Sequence, residues 1–204
     1  MTSYPPIDFG PHPLLKADDI DSNLAPRPHF LKSEAVRNQI CMSDAVGMKS
    51  LAVHKVRLDP EVESCPNHYH LNESEWIYVL SGSGVLTLLD ASPTLLGPSR
   101  VPFSATTSTS TQTVGIKGKV TLEKEEKQVN PGDFIGFEQG IKASRWSHSL
   151  RAGPQGIEYL MGGVKSECGG GVNLCAYPEE GKTMVMEYPQ GQEGDEVRGT
   201  VTEF

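Results

Sequence analysis
His68-Tyr69-His70 is the sharpest chemical feature of this 204-residue chain. In extended backbone, residues two apart point to one face, so these two imidazoles would converge as metal ligands must. Glu75 follows five positions after His70, at the head of a β-prone run. If residues 72–74 turn the chain, Glu75 folds back beside the histidines as an anionic oxygen donor. Neutral imidazoles with a carboxylate suit Fe, Mn, Ni, Cu or Zn, and sequence does not choose among these ions. One divalent transition metal ion per chain is therefore expected. His54 and Glu73 are the candidates for a general base beside it. His54 reads first as a core histidine or a partner that orients a ligand.

Such side chains need strands to carry them. Residues 52–58 alternate, with Ala52, His54, Val56 and Leu58 on one face and Val53, Lys55 and Arg57 on the other. The His54 face is predicted to point inward. Residues 75–80 are rich in β-formers. Glu75, Ile77 and Val79 share one face, and Trp76, Tyr78 and Leu80 the other. Both faces are largely apolar, which predicts a strand covered on both sides. Residues 81–84 read as a tight glycine turn leading to a short strand at 85–89. Further strands are expected at 114–122, 133–137, 156–161, 172–177 and 183–188, the last being the final strand. The charge run 123–127 reads as a solvated hairpin tip or edge. Strands at regular intervals with turn signals imply an all-β sandwich or barrel.

The rest of the chain decorates that unit. Residues 1–48 form a leader broken by Pro5, Pro6, Pro11, Pro13, Pro26 and Pro28, which forbid a long helix. Ser33 is expected to cap a short helix through Ile40, with Glu34 in its first turn. Such a leader packs on the barrel or on a partner subunit. The barrel is expected over 49–189. A Pro/Ser/Thr-rich loop at 91–113 interrupts it, either as a surface excursion or as a lid. A glycine hinge is expected at 169–171 and a polar tail at 190–204. Tyr69 alternates away from the ligands and reads as structural. Met184 and Met186 read as core fillers.

Charge and composition exclude several functions. Lys and Arg number 18 and Asp and Glu 26, a net charge of −8. Neutralising phosphates takes an excess of basic residues, so nucleic acid is not an expected partner. An anionic membrane surface is disfavoured for the same reason. No apolar run approaches the length that spans a bilayer, and the first ten residues lack the basic and apolar regions of a secretory signal. The four cysteines form no C-x-x-C pair and read as free thiols of a reducing, cytoplasmic setting, with a Cys168–Cys175 bridge as the alternative.

His68-x-His70-x4-Glu75-x6-Gly82 resembles the first motif of the cupin superfamily. The surroundings agree: Leu58-Asp59-Pro60 leads in and Pro66 precedes the histidines, although Val62 stands where the family usually has glycine. Pro131-Gly132-Asp133-Phe134-Ile135-Gly136-Phe137 and Gly140 resemble the opening of the second motif. The match then loosens. Glu138 replaces a proline, the common spacing puts the second motif's histidine on Ala143, and Ala152 takes the asparagine position. A small insertion would instead make His148 that histidine; the alternative is a site of His68, His70 and Glu75 alone. Trp146 and Arg145, just before His148, would shape a pocket or pack.

The resemblance covers about residues 50–188 and implies an all-β double-stranded β-helix, a jelly-roll barrel, with an irregular, partly helical leader. It implies metal ligation by His68, His70, Glu75 and His148, and a small-molecule substrate. Cupins with this ligand set include dioxygenases, decarboxylases, isomerases and lyases. Dioxygenase chemistry is the leading expectation, and isomerase, decarboxylase or lyase chemistry follows. A non-catalytic binding or regulatory cupin is the alternative, and a storage role is disfavoured by the single barrel. A homodimer is expected from the long leader and the apolar outer face of the Trp76 strand.

Overall fold
Alternation of apolar and polar residues builds the strands, and their pairing positions the histidines. The structure, a computed structural model, describes residues 11–92, 122–165, 172–187 and 198–203. Its strands are β1 (Ala25–His29), β2 (Lys32–Cys41), β3 (Leu51–Leu58), β4 (Tyr69–His70), β5 (Glu75–Asp90) and β6 (Glu123–Val129). They continue with β7 (Phe134–Phe137), β8 (Ser147–Val164), β9 (Val172–Tyr177), β10 (Lys182–Glu187) and β11 (Arg198–Glu203). Two short helices, α1 (Ala17–Ser22) and α2 (Met42–Ala45), and a 3-10 helix (Ile141–Trp146) complete the described chain.

The strands form two antiparallel sheets. The larger runs β1-β2-β3-β8-β5-β6, with β7 also paired to β5; the smaller runs β11-β10-β9-β4. This is the all-β jelly-roll expected. The inward faces read from the alternation supply the core: Val56, Leu58, Ile77 and Val79 are buried together with Leu86, Leu150, Ile157 and Tyr159.

Two glycine signals mislead. Residues 81–84 do not end a strand; β5 continues through them with register shifts against β8 near Ser81 and Gly82. Gly82 has φ +73° and faces Gly156, at φ +78°; a Cβ on Gly82 would lie 2.3 Å from the Gly156 carbonyl oxygen. The pair therefore marks a bulged bend where two long strands approach closely. Likewise Gly162 and Gly163 lie inside β8, which starts at Ser147 rather than near Gly156.

The leader also differs from expectation. No helix follows Ser33: residues 32–41 are β2, paired to β1 on one side and β3 on the other. Ladder pairing on both edges overrides the local capping signal. Pro26 and Pro28 are tolerated because β1 is the sheet's edge strand. At the other end of the chain, β11 pairs with β10, so β10 is not the last strand. The charge run 123–127 lies on β6, an exposed edge. Nor is the Trp76 strand covered on both sides in the protomer: Tyr78 and Leu80 are exposed on its outer face. Nearly all of the 91–113 loop, all of the 114–122 strand but Leu122, the 169–171 hinge and Cys168 lie outside the described residues.

Candidate metal centre
Strand pairing brings the four expected ligands together. His70 lies on β4 opposite Cys175 of β9. His68, just before β4, forms a bridge with His148 at the start of β8: His68 N donates to His148 O at 3.0 Å, and His148 N to His68 O at 2.8 Å. Glu75 opens β5. The intervening residues 141–146 form the 3-10 helix, which sets His148 rather than Ala143 beside Glu75. Ala143 is instead packed with Tyr69, Ala91 and Ala176.

The Glu75 Oε2 atom lies 3.1 Å from His148 Nε2, 3.7 Å from His70 Nε2 and 3.8 Å from His68 Nε2. The opposite ring nitrogens are occupied. His68 Nδ1 donates to the Pro66 carbonyl at 3.1 Å, and His148 Nδ1 to the Trp146 carbonyl at 3.1 Å. His70 Nδ1 contacts Asn173 Oδ1 at 3.4 Å, and Asn173 Nδ2 donates to Glu73 at 2.5 Å. For His68 and His148 a backbone carbonyl takes the Nδ1–H, which leaves Nε2 turned toward Glu75. Three Nε2 atoms face one carboxylate oxygen; protonated rings or a cation among them would balance its charge, and neutral rings would turn lone pairs toward such a cation. Two donor atoms each about 2.1 Å from one ion lie about 3–3.5 Å apart, close to the spacings found. The donor set therefore fits a divalent metal.

Burial and charge support it. The Glu75 carboxyl is buried, which alone would raise its pKa; contact with His148 and the field of His148, His70 and His68 more than offset this and hold it well below the usual carboxylate range. Burial, reinforced by His148 and His70, keeps His68 neutral far below its ordinary pKa of 6.5. Phe137 stacks flat on His148, ring centroids 3.5 Å apart. Ser147 Oγ donates to Asn67 Oδ1, tying together the residues that precede the two bridged histidines.

His68, His70 and Glu75 line a cavity of about 530 Å3. His54 lines it from β3, and burial followed by the Arg37 charge pushes its pKa down. Its Nδ1 is buried without a hydrogen-bond partner among the described residues. Glu73 lines the cavity too, but its bond to Asn173 puts it behind His70, on the Nδ1 side. Met184 and Met186, expected as core fillers, line the cavity instead. Trp146 and Arg145 do not; Arg145 lies over the exposed Trp146 ring at 5.8 Å.

Sequence reasoning misses three residues. Cys175, a buried thiol whose pKa burial pushes up, comes within 4.8 Å of donor atoms of His68 and His70. His29 of β1 accepts from the Leu31 N–H at Nδ1 and meets the Tyr177 hydroxyl through Nε2 at 3.3 Å. Arg37 reaches the cavity from β2. The signal for Arg37 is the alternation Ala35, Arg37, Gln39, Cys41, which a helix over residues 33–40 hides.

No family model matches the sequence, and no curated protein does. Solved structures do share the fold. A candidate sugar phosphate isomerase of Acidithiobacillus ferrooxidans superposes with a TM-score of 0.64 at 23% identity, covering 93% of this chain and 91% of its own. A sugar phosphate isomerase of Silicibacter pomeroyi, from the cupin superfamily, superposes at 0.61 with 19% identity, covering 94% and 92%.

Proposed function
From the premise that this chain has the cupin fold, we propose that it is a metal-dependent enzyme that moves a proton within a small organic molecule, as an isomerase does. One observation carries the reading: three imidazole Nε2 atoms converge on Glu75 Oε2 at the wall of a cavity, each with its Nδ1 already held. His68, His70, Glu75 and His148 would hold one divalent ion. Such an ion supplies Lewis-acid polarisation of a substrate carbonyl oxygen.

The protein's own groups favour proton transfer over the oxygen chemistry expected first. His54 is the general base: burial keeps it neutral and it lines the cavity. It takes the proton from the hydroxyl-bearing carbon beside the carbonyl and returns it to the former carbonyl carbon, while the hydroxyl proton passes to the former carbonyl oxygen. Glu73 positions His70 through Asn173 and does not act on substrate. Glu75 stays ionised, as a ligand must. The sugar phosphate isomerase assignments of the two similar structures agree with this class. The apolar outer face of β5 supports a homodimer, and the cysteine usage a reducing, cytoplasmic setting. Among the described residues, no helix is long and apolar enough to cross a membrane.

The test is metal analysis of protein purified without added metal, beside His68→Ala, Glu75→Gln and His148→Ala. Near-stoichiometric metal in the wild type, lost at least tenfold in each variant, is expected from removing one ligand of a small set. Wild type without metal would end the enzyme reading. Retention by His148→Ala alone would reduce the ligand set to three. An oxygen electrode and solvent-deuterium incorporation into hydroxy-aldehydes then separate the chemistries; oxygen uptake without deuterium exchange would replace isomerisation by oxygenation.

A further inference from the structure
Arg37 has no role in the reading above, yet it is placed where a substrate must pass. It projects from β2 into the cavity that His68, His70 and Glu75 also line. Its Nε is buried, and it has no hydrogen-bond partner or ion pair among the described residues. The other lysine or arginine on the cavity wall, Lys165, is matched with Asp44. A guanidinium left without an anion in a cavity is poised to receive one, and its planar fork suits carboxylate or phosphate oxygens.

The charges of the wall agree. Arg37 and Lys165 stand against Asp44, Glu73 and Glu75, a net charge of −1 with neutral imidazoles. A divalent ion turns this to +1, which a small anion would balance. We propose that Arg37 anchors an oxyanion of the substrate, so that the substrate is a small organic acid or phosphomonoester whose carbonyl or hydroxyl end faces the histidine cluster. This names the substrate class of the enzyme proposed above and rests on that reading. The leader thereby contributes to the site, since the β1–β2 hairpin carries the residue that selects charge.

Calorimetric titration of metal-loaded and chelator-treated protein with D-glycerate, glycerol 3-phosphate and glycerol tests this, with Arg37→Gln and Arg37→Lys alongside. At least one anion should bind the loaded wild type, with glycerol much weaker. Arg37→Gln should weaken that anion roughly 10- to 100-fold, the usual worth of a hydrogen-bonded charge partner. Which anion responds tells carboxylate from phosphate. Metal content and thermal midpoint of Arg37→Gln should match the wild type, because the Arg37 side chain has no hydrogen bond or ion pair among the described residues; a loss of midpoint without loss of affinity would make it structural and overturn the proposal. Equal affinity in Arg37→Gln and wild type would overturn it too, as would glycerol binding as tightly as the anions, or no millimolar anion binding by loaded wild type. Absence of metal from the wild type would instead strike the enzyme reading, and the chelated titrations would still read Arg37.

Discussion
His29 links the leader to the ligand cluster through one chain of contacts. Its Nδ1 accepts from the Leu31 N–H, so the neutral ring carries its proton on Nε2 and donates it to the Tyr177 oxygen. Tyr177 in turn stacks on His68, ring centroids 5.8 Å apart. Protonating His29 would break the Leu31 bond and bury a charge beside Arg37. Burial first, and Arg37 second, lower its pKa from 6.5 to about 4. Between those values the unfolded chain binds the proton and the folded chain does not, so stability falls as the pH drops from about 6.5 to about 4. Below about 4 both states are protonated and this contribution is fully lost. His29→Gln, which keeps a polar group without the titration, should give a flatter fall of thermal midpoint across that window. Parallel curves for variant and wild type would show that His29 does not titrate there. The three candidate ligands His68, His70 and Glu75 are legible in sequence because an H-x-H pair and a nearby glutamate are local signals. Arg37 and His29 are not, since only pairing with β3 and contact with β9 bring them inward.

At the scale of elements, glycine is the residue whose meaning depends on a partner strand. In sequence, Ser81-Gly82-Ser83-Gly84 and Gly162-Gly163 look like chain breaks. In the fold they are places where another backbone comes too close for a side chain. A Cβ on Gly162 would lie 2.3 Å from the Ala52 carbonyl oxygen and 2.8 Å from the Trp76 indole; one on Gly163 would lie 2.2 Å from the Ser74 carbonyl oxygen. These approaches bring β3, β8 and the residue preceding Glu75 together, and so hold Glu75 in place. Gly82→Ala adds a left-handed backbone to the same kind of clash and should cost about 2–4 kcal/mol. The measurement is the denaturant midpoint. A change below about 0.5 kcal/mol, the range of neutral surface substitutions, would mean that the bend relaxes freely. The 3-10 helix is the converse case. Its six residues displace the histidine of the second motif from the common spacing, and the sequence registers the insertion without showing its shape.

At the scale of the molecule, the His68–Gly82 and Pro131–Gly140 patterns disclose the barrel, while the leader's place in it stays hidden behind its prolines. The same barrel leaves one face unexplained within a single chain. Tyr78 of β5 pairs with Phe134 of β7 and with Leu160 of β8, so their side chains share the outer face of the large sheet. Tyr78 is 40% exposed, Leu80 39% and Phe134 67%, and Trp76 stacks beside Phe134. Further along the same face, Lys55 and Arg57 pair with Glu158, and Lys55 with Asp21 of α1, so that part is already matched by charge. A clustered aromatic patch beside a polar margin is the composition of a subunit interface. In an isologous pair the patch faces its own copy, so one substitution acts on both sides of the contact. Light scattering coupled to gel filtration should therefore give twice the 22.2 kDa chain mass for the wild type. Phe134→Asp should give the single chain mass with an unchanged thermal midpoint at low concentration, because Phe134 is mostly exposed in its own protomer. A wild type that elutes at the single chain mass at micromolar concentration would refute the dimer, and the aromatic face would then have no partner in a second copy.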